Sequence, residues 1–424
     1  MKLPTALVLA ASLAACGGSG DDSGQVRIGL LAPLSGDLAL SGRDLRDTAQ
    51  LAIDEINASG GLLGRDAVLD VEDDASSPNG AVSGYTRLLA GGVADVIGPS
   101  HSPGVRALEA TIKASRTLTI SGSATASGLG ALDDDGYFFR TVPSDTVQST
   151  VLAAKIMEQG CQHICLVHRR DAYGDSLSDA VVAALTAGSN PEIIDAGYDP
   201  AMSLDGVVAG CESIRGVEAA GALFITYQGD GRDLLDQAVK LGWNTTQHHI
   251  FLADGNRRQG LYDALAERGS LDELEGAIGT APSGPDPSTP AGARDQAFQE
   301  RYMAAYDHAA STFSESHYDA TYLAAIAIEL AGALDDRAAV RDAIARSSTG
   351  TAVDAGDWNR MRATIAASGE IDYQGASGDV TLDAATGELE PPYYIQIWSI
   401  VEGRVTSQSI ETVTTRPPSL RRAP

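Results

Sequence analysis

The amino-acid sequence predicts an α/β protein with two doubly wound parallel-sheet lobes. Short runs rich in β-branched residues alternate with longer helical patterns almost throughout, which is typical of parallel sheets flanked by helices. The alternation falls into two blocks that divide near residues 142–145. The length of 424 residues also exceeds what one ordinary hydrophobic core organises.

The composition indicates a folded and strongly acidic protein. Hydrophobic residues make up 43% of the chain, which fits a globular protein and excludes general disorder. The 57 Asp and Glu residues outnumber the 30 Lys and Arg residues, so the formal charge is −27. A surface of this sign repels a phosphate backbone, and no basic run is longer than a pair such as Arg421-Arg422. We therefore expect no nucleic-acid partner.

The first residues are typical of a secretion signal. Lys2 precedes a short apolar run, and small residues lead to Cys16. The run is too short to cross a bilayer as a helix. Residues 13–16 resemble a bacterial lipobox, which implies that a signal peptide, residues 1–15, is removed and that Cys16 carries a lipid; an unmodified cysteine behind an ordinary signal is the alternative. Residues 16–25 would then be the lipidated cysteine and a flexible tether, holding an exported, periplasmic or cell-surface protein on a membrane that it does not span.

The first block contains four predicted strands with helices between them. The strands are placed at residues 26–30, 67–71, 94–98 and 117–121. Apolar residues recur at helical spacing over residues 41–59, and Gly60-Gly61 ends that helix. Ser77 and Pro78 are typical of an N-cap and a first helical turn, and a further helix is predicted over residues 104–115.

The second block repeats this pattern after residues 137–141. A helix is predicted over residues 145–158, and the strands are placed at residues 163–168, 192–196, 222–227 and 249–253. A loop rich in Pro, Ser and Gly, residues 282–290, precedes helices at residues 291–309 and 318–333. Residues 378–405 are predicted to form short strands.

Three cysteines follow Cys16, and they leave the disulfide pairing open. An exported protein can form one pair and keep one thiol. Cys165 lies in the apolar run 164–167, which favours a buried strand cysteine, so we prefer the pair Cys161–Cys211. The spacing matches no zinc site, and we expect no metal and no cofactor.

Two strand ends carry groups that suit a ligand. In doubly wound sheets the ligand crevice lies outside the carboxyl ends of the strands. Residues 97–104 and 120–125 each follow a strand and present hydroxyls and backbone N–H groups. Such donors, together with a helix N-terminus, can hold a carboxylate. The alternative is that they are only helix caps and turns.

Seven short segments follow one another in a characteristic order, namely residues 28–36, 52–61, 97–99, 120–125, 173–174, 318–320 and 373–378. Together they resemble the solute-binding proteins of bacterial ABC importers, in the leucine/isoleucine/valine-binding class of type I periplasmic-binding proteins. The resemblance runs from about residue 26 to residue 404. Each segment alone is weakly specific, but their order and intervals are characteristic.

This resemblance implies that three crossing strands join the two lobes, which close over a ligand by hinge motion. We expect the crossings near residues 142–144, 253–255 and 373–378. The corresponding division assigns residues 26–142 and 254–375 to the first lobe, residues 143–253 and 376–412 to the second lobe, and residues 413–424 to a disordered tail.

The resemblance also implies the ligand-binding residues. Ser102 matches the serine that holds a ligand carboxylate in the amino-acid binders of the family, and Ser123, Ala124 and Thr125 match its second carboxylate segment. Asp254 matches the acidic residue that pairs with the amino group. Tyr173 matches the tyrosine that closes from the second lobe, and Tyr227 is a weaker candidate for that role.

One difference affects the side-chain pocket. The leucine binders carry a large aromatic residue shortly after the opening Ser-Gly, where this chain has Leu40-Ser41-Gly42. A branched aliphatic ligand therefore does not follow from the resemblance.

The expected function is capture of an amino acid or similar small polar molecule, and its delivery to ABC permease subunits by a monomeric protein. A ligand-sensing regulator with the same fold is the alternative. A third hypothesis is a secreted hydrolase, because residues 174–178 spell the nucleophile block of GDSL hydrolases around Ser176. That block lies mid-chain here, and none of the seven histidines has Asp three residues before it. We expect no enzymatic activity.

Overall fold

The computed structural model of the protein describes residues 24–417. The predicted signal peptide, the proposed lipidation site Cys16 and most of the predicted tether lie outside the described residues. Among residues 24–417, none of the helices combines the length and the hydrophobicity that a bilayer span requires.

Strands and helices alternate along most of the chain. The strands are β1 Val26–Ala32, β2 Ala67–Asp73, β3 Val96–Ile97, β4 Thr119–Ser121, β5 Phe138–Arg140, β6 His163–Arg169, β7 Glu192–Tyr198, β8 Ala220–Ile225, β9 His249–Leu252, β10 Ile278–Pro282, β11 Ala352–Asp354, β12 Asp372–Gln374, β13 Tyr393–Val401 and β14 Arg404–Val413. The α-helices are α1 Ala39–Ala58, α2 Pro78–Ala90, α3 Ser102–Ser115, α4 Asp145–Glu158, α5 Ala172–Ala187, α6 Glu212–Arg215, α7 Gln228–Lys240, α8 Gln259–Glu267, α9 Pro290–Tyr306, α10 Ser314–Ala331, α11 Arg337–Ala343 and α12 Trp358–Ser368.

The first lobe is built on a five-stranded parallel sheet with the order β2-β1-β3-β4-β5. Helix α2 begins as its sequence predicts, because Ser77 accepts a hydrogen bond from the backbone N–H of Gly80 and Pro78 occupies the first turn. Helix α10 is buried along nearly its whole length, and it packs against α1 and the ends of β3 and β4. The sheet therefore has helices on both faces, as a doubly wound lobe requires.

The second lobe is built on a seven-stranded sheet with the order β14-β13-β10-β9-β8-β6-β7. The strands from β10 to β7 are parallel, whereas β13 runs antiparallel to both β10 and β14. The prediction of strands over residues 378–405 is right in kind but wrong in length and extent, because the strands begin only at Tyr393 and form a long hairpin. Glu402 and Gly403, with φ of 51° and 72°, close this hairpin. Two positive φ values suit the tight turns that join twisted antiparallel strands. The predicted fold class is confirmed.

The lobe boundaries differ from two of the predicted crossings. The chain does not leave the second lobe at residues 253–255, because β10 pairs with β9 and Tyr262 of α8 packs against Trp398 of β13. It also does not enter the second lobe at residues 373–378, because the Gly387 carbonyl still accepts a hydrogen bond from the backbone N–H of Arg140 in β5. The second-lobe assignment therefore extends through β10 and resumes at β13. Local patterns do not reveal which of two sheets a segment joins.

The beginning of the predicted disordered tail is ordered. Val413 is the last residue of β14, and the Arg416 guanidinium contacts Asp383 and Glu390 at 3.6 and 3.0 Å. Residues 418–424 of that predicted tail lie outside the described residues.

The predicted disulfide Cys161–Cys211 is wrong. The bond joins Cys165 to Cys211, and Cys161 is a buried free thiol. Side chains alternate between the two faces of a strand, and Cys165 of β6 points to the face that Cys211 covers. Cys161 packs on the opposite face with Ile164 and Leu166. The pairing therefore depends on which face of β6 each sulfur occupies.

We expect the Cys211→Ala substitution to lower the free energy of unfolding by about 4 kcal/mol, because the bond closes a loop of 46 residues in the unfolded chain. Urea denaturation without reductant measures this loss. Cys161→Ala is the matched control, and it should cost about 1 kcal/mol through lost packing. The pairing would be contradicted if Cys161→Ala were the more destabilising variant, or if reductant destabilised Cys211→Ala as strongly as the unsubstituted protein.

Candidate functional site

A cavity lies between the two lobes, at the carboxyl ends of strands from both sheets. Its walls combine hydroxyls, two stacked tyrosines, one carboxylate and one guanidinium. The lining residues are Pro33, Leu38, Ser41, Leu45, Ser100, His101, Ser102, Ser123, Thr312 and Phe313 from the first lobe and Tyr173, Tyr227, Gln228, Asp254, Gly255 and Arg257 from the second.

The loop between β3 and α3 brings Ser102 to the cavity. Gly98 has φ of +101°, and a Cβ atom there would collide with the carbonyl oxygen of Leu31, so only glycine fits this turn. His101 Nδ1 accepts a hydrogen bond from the Gly104 N–H at 3.0 Å and caps α3. Ser102 is therefore the first residue of a helix whose N-terminus points into the cleft. Its hydroxyl accepts from the Ala126 N–H at 3.1 Å, and its own proton stays available to a ligand.

The loop after β4 is tied to the loop after β3 by hydroxyl groups. Ser121 donates to the Pro99 carbonyl at 2.7 Å, and Ser123 donates to the Ser100 carbonyl at 2.8 Å. Ser123 therefore lines the cavity with its hydroxyl proton already in use. These bonds hold the two strand ends in one fixed arrangement.

Two of the predicted residues do not line this cavity. Ala124 is fully buried, and Thr125 is 1% exposed. The Thr125 carbonyl accepts from the Asp145 N–H at 2.8 Å, while its hydroxyl oxygen makes no hydrogen bond within residues 24–417. The structure therefore brings five of the seven predicted ligand-binding residues together, and it places these two behind the wall.

The second-lobe wall is formed by stacked aromatic rings and a carboxylate. Tyr173 and Tyr227 stack with ring centroids 5.1 Å apart and an interplanar angle of 16°. The Tyr173 hydroxyl donates to Asp254 Oδ1 at 2.8 Å and accepts from the Gly255 N–H at 3.3 Å. The Arg169 guanidinium lies 4.1 Å from the centre of the Tyr227 ring, a cation–π arrangement that fixes the outer tyrosine.

Asp254 in the cavity wall and Asp145 behind it are both buried, and neither has a cationic partner at salt-bridge distance within the described residues. Burial raises the pKa of Asp254 to about 6, although the hydrogen bond from Tyr173 acts in the opposite direction. Burial, with repulsion from Asp254 as the next contribution, raises the pKa of Asp145 to about 7. Burial also raises the pKa of Tyr173 well above its ordinary value, so this phenol stays a donor. A cation beside Asp254 would restore its ordinary ionisation.

The lobes also touch each other directly around the cavity. Gln228 donates to the Ser41 hydroxyl at 2.8 Å, and Arg258 forms an ion pair with Asp44 at 2.6 Å. The structure is therefore a closed arrangement. The sequence analysis did not predict that Ser41, Asp44, Gln228 and Arg258 lie at the cleft. It also did not predict Arg257, although Arg257 follows Asp254 in the same strand-end loop.

Ser176, which the hydrolase hypothesis would make the nucleophile, lies at a second contact between the two lobes. Its hydroxyl accepts a hydrogen bond from the Ser127 N–H at 2.8 Å, and its hydrogen-bond partners within residues 24–417 include no histidine. The described part of the chain also contains no group of three or more His, Cys, Asp or Glu residues arranged to hold a metal ion.

We expect the Asp145→Asn substitution to stabilise the ligand-free protein in a pH-dependent way. The pKa of this group is about 7 in the folded protein and about 3.9 when unfolded, so the unfolded state loses its proton first and stability falls as the pH rises between these values. The substitution should raise the free energy of unfolding by about 2–4 kcal/mol at pH 8 and by little at pH 4. Urea denaturation at both pH values measures the difference. Asp307→Asn, at an exposed helix end, is the control, and a gain independent of pH would contradict the assignment.

Comparison with known proteins identifies the family. The chain matches the family described as periplasmic binding protein over residues 25–403. The Leu/Ile/Val-binding protein BraC3 of Rhizobium johnstonii is 32% identical over 176 residues, which are 41% of this chain and 48% of that protein, so the match spans about half of that relative. The chemotactic signal transduction system substrate-binding protein BasB of Halobacterium salinarum is 28% identical over 408 residues, which cover 91% of this chain and 88% of that protein.

A solved structure shares the fold over the same range. The branched-chain amino acid transporter substrate binding protein LivJ of Streptococcus pneumoniae, in complex with isoleucine, has a TM-score of 0.73 at 21% identity and covers 92% of this chain and 99% of its own. The family resemblance predicted from the sequence is confirmed. The chain therefore belongs to the periplasmic binding protein family, with the type I fold of its leucine/isoleucine/valine-binding members.

Proposed function

We propose that this solute-binding protein captures an amino acid outside the cytoplasm and delivers it to an ABC importer. The observation that carries the proposal is the interlobe cavity, in which the buried carboxylate of Asp254 and the N-terminus of α3 are both available to one small ligand. These two groups have opposite electrostatic character. An amino acid zwitterion has the complementary pair.

The ligand carboxylate would bind at the first-lobe wall. The Ser102 hydroxyl can donate a hydrogen bond, and the partial positive charge of a helix N-terminus favours an anion there. Ser123 contributes by holding the Ser100 segment in place. Thr125 would contribute indirectly, because its carbonyl accepts a hydrogen bond from the Asp145 N–H behind the wall.

The ligand ammonium would bind at the second-lobe wall. An ammonium beside Asp254 supplies the counter-charge that the buried carboxylate lacks, in a charge-assisted hydrogen bond. Tyr173 orients this carboxylate through its hydroxyl, and Tyr227 supports the ring of Tyr173 by stacking. Because the two walls belong to different lobes, one zwitterion would join them and favour closure.

Delivery to permease subunits and lipid anchoring at Cys16 are further parts of the proposal. They are supported by the family and by the lipobox-like residues 13–16. Release of acyl-modified peptide beginning at Cys16 from purified protein, read by mass spectrometry, tests the anchor. An unmodified Cys16 at the mature N-terminus, or cleavage elsewhere, would contradict it.

Sensing without transport is a second candidate function, because the relative BasB carries a chemotactic signal transduction name and matches over 91% of this chain. The two functions share one binding site. Growth on the identified ligand as sole nitrogen source separates them, since deletion of the gene abolishes uptake only if the protein serves an importer.

The site assignment predicts which substitutions weaken binding. A thermal-shift screen of amino acids identifies a ligand, because binding to the native state raises the melting temperature by mass action. Calorimetry should then show one ligand per chain, with affinity about 100-fold weaker in Asp254→Asn and about 5- to 10-fold weaker in Ser102→Ala. Asp307→Asn is the matched carboxylate control. Unchanged affinity in both site variants would contradict the proposal.

Affinity should also depend on pH. Only the ionised form of Asp254 attracts an ammonium, and its pKa is about 6 in the ligand-free protein. We therefore expect affinity to fall about tenfold from pH 7 to pH 5, with proton release on binding near pH 6. Calorimetry in buffers of different ionisation enthalpy measures both effects. A flat profile in the unsubstituted protein, or a pH dependence that persists unchanged in Asp254→Asn, would exclude an ammonium contact at this carboxylate.

A further inference from the structure

Arg257 places an unneutralised cation against the cavity. Its Nη1 donates to the Thr312 hydroxyl at 2.8 Å, and the same hydroxyl donates to the Arg257 carbonyl at 3.1 Å. Its Nε is buried and makes no hydrogen bond within residues 24–417. None of the salt bridges in the described part of the chain involves this guanidinium, although most arginines near the cleft, such as Arg169 and Arg258, have carboxylate partners.

The acidic group that attracts Arg257 from the first lobe is Glu315, and no ion pair joins the two side chains within residues 24–417. Burial lowers the pKa of Arg257, although the attraction of Glu315 acts in the opposite direction. Burial, with repulsion from Asp295, raises the pKa of Glu315, and the attraction of Arg257 opposes this rise. A guanidinium in this setting has donors in a rigid fork and lacks the carboxylate that such a fork binds best.

A second cavity beside the first also carries basic side chains. It shares Arg257 and Thr312 with the first cavity, and its other lining residues include Arg43, Arg258 and His308. Asp44 on the same wall is paired with Arg258, whereas Arg43 is exposed and forms no ion pair within residues 24–417. On a chain with a formal charge of −27, this cluster is a local reversal of sign. Such a reversal raises the local concentration of anions and their association rate.

We propose that the ligand is an amino acid with an acidic side chain and that Arg257 is the residue that selects it. The α-carboxylate would bind at Ser102 and the ammonium at Asp254, as in the proposed function on which this inference rests. The side-chain carboxylate would bind the Arg257 guanidinium, with Thr312 holding that guanidinium in place. Each of the three charged groups of the ligand, two carboxylates and one ammonium, then meets a protein group of opposite electrostatic character.

Matched acid and amide ligands test this assignment in the full mature protein. The probes are L-aspartate with L-asparagine, L-glutamate with L-glutamine, and L-leucine, and calorimetry gives the dissociation constants. We expect at least one acid to bind about 100-fold more tightly than its amide. Arg257→Gln should abolish that preference by weakening the acid about 100-fold and the amide less than threefold. Arg257→Lys should retain part of it, because an ammonium keeps the charge and loses the fork.

Two further variants distinguish a direct effect on ligand binding from a loss of folding and from a change in the rate of electrostatic association. Arg360→Gln removes an exposed arginine on α12 in the first lobe, away from the cleft, and should leave all dissociation constants unchanged. Arg43→Gln should slow association of the acid in stopped-flow measurements and reduce its salt dependence, with little effect on dissociation. Thermal melting of each variant confirms that it is folded.

The outcomes distinguish this inference from the proposed function. Tight binding of leucine or of an amide, with no preference for the acids, would overturn the role of Arg257 and leave the proposed function standing. Equal weakening of acid and amide in Arg257→Gln would also overturn it, because Arg257 would then hold the α-carboxylate. If none of the probes binds, both proposals fail for these amino acids. If glutarate binds through Arg257 and glutamate does not, the amino-acid assignment fails.

Discussion

The cleft of this protein is organised by charged groups that the closed lobes remove from water without pairing them. Asp254 and Asp145 are buried carboxyl groups, and Arg257 is a guanidinium without a carboxylate partner within residues 24–417. Leaving such groups unpaired costs free energy, so the empty closed state is destabilised relative to the same state with a complementary ligand. The proposed ligand would therefore favour the closed state through the same side chains.

The remainder of the fold serves to hold these groups at fixed positions. The parallel strands of both sheets end at the cleft, and this brings residues from distant parts of the sequence, such as Ser102 and Asp254, to one cavity. Hydroxyl bonds from Ser121 and Ser123 fix the first wall, and the stacked tyrosines fix the second. Direct contacts such as Arg258–Asp44 then join the lobes outside the cavity. The lining groups of each lobe are therefore held in place by contacts within that lobe.

Local chemistry was sufficient to predict much of this arrangement. The alternation of strands and helices predicted the fold class, and the order of short motifs predicted the family. Strand-end positions singled out the segments 97–104 and 120–125, and the family resemblance then implied Ser102, Ser123, Tyr173, Tyr227 and Asp254, all five of which line the cavity. Arg257 was missed because a guanidinium three residues beyond Asp254 has no local signature that separates a cleft position from a solvated one. Its significance depends on which first-lobe residues lie opposite it, namely Thr312 and Glu315.

The sequence by itself determined the periodicities, the Ser77-Pro78 start of α2 and the residue types at the strand ends, because these depend on neighbouring residues along the chain. The tertiary structure alone decided that β10 joins the second sheet, that Cys165 rather than Cys161 bonds Cys211, and that Arg257 faces a cavity. Each of these depends on which face or sheet a segment meets after folding. Contacts between residues far apart in sequence are set by the packing of whole elements, and no local pattern encodes that packing.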